Sequence, residues 1–71
     1  MKYLVVIEEG QEGFGAYVPD LPGCVSAGDS PEEVLELIQE AIELHLQSMV
    51  KDGERIPAPS SRAALVEVRA A

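Results

Sequence analysis

The residues with chemistry to offer are few: one histidine, one cysteine and thirteen carboxylates in 71 residues. A catalytic or metal-binding histidine needs a second ligand or an acid to orient it. His45 is flanked by Leu44 and Leu46, with no acid on its own helix face, so it reads as a packed histidine with one hydrogen bond at a subunit contact. A nucleophilic cysteine needs a neighbouring base or positive charge to lower its pKa. Cys24 follows Pro22-Gly23 and has neither nearby, which makes it a small buried residue. Asp20 stands between Pro19 and Leu21-Pro22. It can touch a basic partner or cap its own turn through its side chain, and both readings stand.

Composition narrows the possible functions further. Hydrophobic residues make up 46% of the chain and charged residues 25%, a globular balance. The net charge of −8 repels a phosphate backbone, so direct nucleic-acid binding is not expected. The same charge would speed an encounter with a basic protein, and it also keeps a small apolar domain soluble. The apolar run Tyr3 to Ile7 is too short to span a membrane and lacks signal-peptide flanks. One cysteine and no export signal point to the reducing cytoplasm. No disulfide can form within the chain, no Cys/His cluster can hold zinc, and no cofactor is implied.

The elements that must position these residues form one domain over residues 1–71. Tyr3–Glu9 is a strand, with Tyr3, Val5 and Ile7 on one face and Leu4 and Val6 on the other. Both faces are apolar, which predicts a central strand covered on both sides. Gly10–Gly13 is a turn and Phe14–Val18 a second strand, together a hairpin. Pro19–Gly23 is a rigid connector, and Cys24–Ala27 a short third strand. Ser30-Pro31-Glu32-Glu33 is a capping box with proline at the first helical position. It predicts a helix from Pro31 to about Lys51, stopped by Gly53. Arg55–Ser61, with Pro57 and Pro59, is an extended connector, and Ala64–Arg69 a last strand.

On a helical wheel the apolar residues of 34–49 cover an arc of roughly 200°, where a helix on one sheet needs about 100°. A chain this short buries only about 60% of its unfolded surface. Together these predict a homo-oligomer, with Leu37, Leu44, His45, Leu46 and Met49 as subunit contacts.

Gly15-Ala16-Tyr17-Val18-Pro19-Asp20-Leu21-Pro22-Gly23-Cys24, then Gly28-Asp29-Ser30, then Glu33 in the first helical turn, resemble the HicB-like antitoxin family. Glu40-Ala41-Ile42-Glu43 and Ile56-Pro57-Ala58-Pro59-Ser60 complete the pattern over nearly the whole chain. The resemblance implies an α+β fold of truncated ribonuclease H type: three antiparallel strands, a helix, and a fourth strand returning beside the first. It further implies a partner, a small basic HicA-type toxin that cleaves mRNA and whose active site the antitoxin masks. Most members also carry a C-terminal DNA-binding domain. This sequence stops at Ala71, so operator binding is not carried over.

A ribonuclease H active site would gather carboxylates around metal ions. The candidates are Glu8 or Glu9, Glu36 or Glu40, and Glu67. On the wheel Glu36, Glu40 and Glu43 lie opposite the sheet-facing arc, and the central strand positions are apolar where oxygen ligands would be needed. The expectation is a binding protein and no enzyme. Its partner contacts are Tyr17, Asp20, Leu21 and Pro22, with Glu9 and Glu12 adding electrostatic attraction. The alternatives are a self-associating domain without a toxin and a vestigial nuclease.

Overall fold

A computed structural model describes residues 1–70. Three strands and one helix follow in order: β1 (Val6–Glu9), β2 (Phe14–Tyr17), β3 (Val25–Gly28) and α1 (Pro31–Lys51). The sheet is antiparallel in the order β1-β2-β3, with Val6 opposite Tyr17 and Tyr17 opposite Val25. This is the α+β class the sequence implies, and it is compatible with a truncated ribonuclease H-like arrangement.

The helix ends where its caps dictate. Ser30 is extended and its Oγ accepts the Glu33 amide at 3.1 Å. At the other end the Glu54 amide donates to Met49 O at 2.8 Å and the Gly53 amide to Val50 O at 3.1 Å. Gly53 sits at φ 72°, which completes a Schellman motif that glycine adopts without strain. Twenty-one residues make a rod of about 30 Å, whereas a four-residue strand spans only about 13 Å. The helix therefore overhangs the sheet. Its first half supplies the fully buried Val34 and Ile38, which pack with Ala16, Val18, Leu21 and Cys24. Ser26 Oγ donates to Val34 O at 3.0 Å, tying β3 to the helix start.

Two expectations change. The first strand is not central: β2 is, and β1 forms one edge. The fourth strand is absent among the described residues, because 64–69 pairs with no strand and runs exposed. The path of the chain explains this. Tyr3 Oη donates to Pro57 O just before β1, and Ser60 and Ser61 are bound to Asp20 just after β2. Residues 57–61 are thus held at the end of the sheet where β1 begins and β2 ends, and 64–69 runs on exposed beyond it.

Candidate partner-binding surface

The connector between β2 and β3 is a tight wrap. The Val18 amide donates to Cys24 O, the Leu21 amide to Val18 O and the Cys24 amide to Leu21 O, all at 3.1–3.2 Å. This turns Leu21 inward, to 1% exposure. Leu21 is therefore a core residue, and its assignment as a partner contact is corrected. Pro22 stays exposed on the outside of the wrap.

Asp20 carries the densest hydrogen bonding in the molecule. Its Oδ2 accepts the amides of Ser60 at 2.9 Å and Ser61 at 3.0 Å. Its Oδ1 accepts the hydroxyls of the same serines at 3.2 and 2.7 Å. The Ser61 and Ser60 donors favour the carboxylate and lower its pKa from 3.8 to about 2. Asp20 is thus a clasp for the C-terminal segment. In the sequence Ser60 stands out only as the end of the Ile56-to-Ser60 piece of the family pattern, and nothing marks Ser61 or ties either serine to Asp20.

The sheet covers its core with one face and leaves the other open. Ile7, Ala16 and Ser26 share the helix-facing side; alternation puts Val6, Tyr17 and Val25 on the open one. There Tyr17 is 39% and Val25 63% exposed. Glu9 and Glu12 gather instead at the hairpin end with Glu8 and Asp29, around a shallow hollow of about 740 Å³ floored by glycines. The Gly10 amide donates to Gly13 O at 2.7 Å to close that turn. The sequence-predicted contacts thus occupy three places: Tyr17 on the open face, Asp20 and Pro22 at the connector, Glu9 and Glu12 at the opposite end of the strands.

Of the residues assigned to subunit contacts, Leu37 and Leu44 are exposed on the helix, while His45, Leu46 and Met49 are half-buried. Burial pushes the Cys24 thiol pKa up, the opposite of what a nucleophile needs. Among the described residues no three His, Cys, Asp or Glu side chains are placed to hold a metal ion. Among them, too, no helix is long and apolar enough to cross a membrane.

Comparisons with known proteins agree on one family. The chain is 42% identical over 57 residues to an uncharacterized 14.9 kDa protein of Haemophilus phage HP1, covering 80% of this chain and 43% of that one. It is 35% identical over 71 residues to antitoxin HicB 2 of Photorhabdus laumondii, covering 99% of this chain and 51% of the relative. It therefore spans about half the length of these two relatives. Among solved structures, a chain of the HicA3 and HicB3 toxin-antitoxin complex superposes with a TM-score of 0.70 at 30% identity, covering 84% of this chain and 70% of that one. Residues 3–70 match the model of the HicB-like antitoxin of bacterial toxin-antitoxin systems, and the chain belongs to that family.

Proposed function

We propose that this chain is a cytoplasmic, non-enzymatic antitoxin that binds a small basic HicA-type mRNA-cleaving toxin and occludes its active site. The observation that carries the proposal is the likeness to a chain of a solved HicA–HicB complex. Charge supports it: a net −8 surface attracts a basic ribonuclease and raises the encounter rate. The open sheet face supplies the apolar contact through Tyr17, a residue type enriched among binding hot spots. Pro22, at the connector, adds a rigid contact with little entropy to lose. Glu9 and Glu12 at the hairpin end, and any charge Asp20 presents beyond its serine clasp, steer the partner.

The test is co-expression with a neighbouring basic protein, followed by binding kinetics and rescue from toxicity. Tyr17→Ala should weaken the complex by at least about 1 kcal/mol, mostly through faster dissociation. Glu9→Lys with Glu12→Lys should slow association and flatten its salt dependence. Wild-type binding and rescue by both variants would move the contact elsewhere.

Self-association has its own support, the exposed Leu37 (38%) and Leu44 (66%) one helical heptad apart on α1. A helix stripe of this kind packs against a copy of itself, with His45 at its margin; Leu46 lies on the far side of the helix, packed against the core.

A further inference from the structure

We infer that residues 64–69 of one copy complete the sheet of a second copy by lying along the free edge of β1, the two copies exchanging these arms symmetrically. The inference concerns a partner other than the toxin and does not rest on the toxin reading. β1 and the residues leading into it are apolar on both faces, Tyr3, Val5 and Ile7 against Leu4 and Val6, the pattern of a strand with neighbours on both sides. In the isolated chain β1 has a neighbour on one side only.

The space beside it is prepared for another. Below the free edge, between the approach to β1 and the helix, runs a groove of about 650 Å³ lined by Tyr3, Val5, Leu35, Ile38, Ile42 and Leu46 among others. An edge of this kind, unpaired and apolar beneath, is a template for an added strand.

The chain also has a segment of strand composition that pairs with no strand among the described residues. Ala64-Leu65-Val66-Glu67-Val68-Arg69 is rich in β-branched residues. It stands free, with Leu65 fully exposed, Val66 at 77% and Val68 at 78%. The radius of gyration is 14.3 Å and the longest dimension 51 Å, whereas a compact chain of this length has a radius near 11 Å. The excess reflects a projecting arm. Alternation puts Ala64, Val66 and Val68 on one side of the arm, the set that would enter the groove.

The arm does not lie on its own edge: residues 64–69 are exposed throughout. Ser61 is tied to Asp20, in the connector that leaves β2, so only Arg62 and Ala63 separate the clasp from the arm, about 10 Å at full extension. A hinge this short resists folding back onto the edge of its own chain and favours exchange between two. Charge fits as well. The arm, 64–69, is neutral, Glu67 against Arg69, while the rest of the chain carries −8, so it can approach the strand that holds Glu8 and Glu9 without like-charge repulsion.

The test uses the full chain, with light scattering for mass and hydrogen exchange for amide protection. The expected result is twice the 7.6 kDa chain mass, with slowed exchange in both β1 and residues 64–69. Val66→Asp with Val68→Asp should give a monomer with arm amides exchanging freely. Helical circular dichroism should be unchanged, because the arm packs on nothing within its own chain. A monomer whose arm amides are nonetheless protected would overturn the inference in favour of closure within one chain. A wild-type monomer with an unprotected arm, or a dimer that survives the double substitution, would also overturn it.

Discussion

Asp20 shows how one residue can hold two roles that its sequence neighbours do not separate. Flanked by prolines and leucine, it reads equally as a partner contact or a turn cap, and its actual ligands lie 40 and 41 residues away. No periodicity announces such a contact. Leu21 was hidden for a related reason: a leucine between prolines looks exposed until the hydrogen bonds from Val18 to Cys24 turn it inward. Cys24, by contrast, was legible as a small buried residue, and the structure buries it. The depressed Asp20 pKa has a definite sign. The folded value of about 2 lies below the free value of 3.8, so the clasp's stabilisation is complete above 3.8 and lost as pH falls through about 2. Carboxyl NMR should show Asp20 titrating near 2. Asp20→Asn should lose less stability than wild type on acidification across that window, and it should already have a lower melting temperature at neutral pH. Equal acid sensitivity of the two proteins would refute the clasp.

Among the elements, α1 was the most legible. Ser30, Pro31 and Glu33 mark its start and Gly53 its end, and local hydrogen bonds alone set both boundaries. Ser30→Ala should cost about 1 kcal/mol in denaturant unfolding, the usual effect of losing an N-cap oxygen. The hairpin is less forgiving. Gly13 sits at φ 153°, and a Cβ there would lie 2.7 Å from the carbonyl oxygen of Gly28. Backbone on the facing strand cannot yield as a flexible side chain can, so Gly13→Ala should cost about 1–3 kcal/mol. Gly10, which has no close contact below 3.6 Å, should tolerate alanine better in the same assay. The strands were legible in number up to β3, and the glycine-bounded turn made the β1–β2 hairpin legible as well; which strand is central was not. Alternation states which side chains share a face; it does not state which edge a strand finds, or in which copy. Residues 64–69 have a strand's composition without a strand's partner among the described residues.

The whole molecule is small, acidic and incompletely covered. Among the described residues six form the buried core, a modest centre for a chain of this length. With thirteen acidic against five basic residues, like-charge repulsion opposes compaction. Salt shortens the screening length from about 30 Å at 0.01 M to about 8 Å at 0.15 M. The melting temperature should therefore rise over that range, while association with a basic partner slows. Opposite responses of stability and binding to one variable would separate self-repulsion from attraction. A melting temperature indifferent to salt would mean that the acidic side chains are already spread far enough apart.

The clasp between Asp20 and the serine pair also sets an order of events. Hairpin and helix contacts lie within a few residues to a few tens of residues of each other, whereas Tyr3 and Pro57 are 54 positions apart and Asp20 and Ser61 are 41. Closing such long loops costs more chain entropy than closing a turn. On a ribosome the serines also emerge after everything they fasten. The clasp should accordingly form after the rate-limiting step of folding, so Asp20→Asn should accelerate unfolding in stopped-flow experiments and leave the refolding rate nearly unchanged. A newly made chain would then pass through a stage in which sheet and helix are assembled and the last dozen residues are still untied, free to meet the edge of another chain.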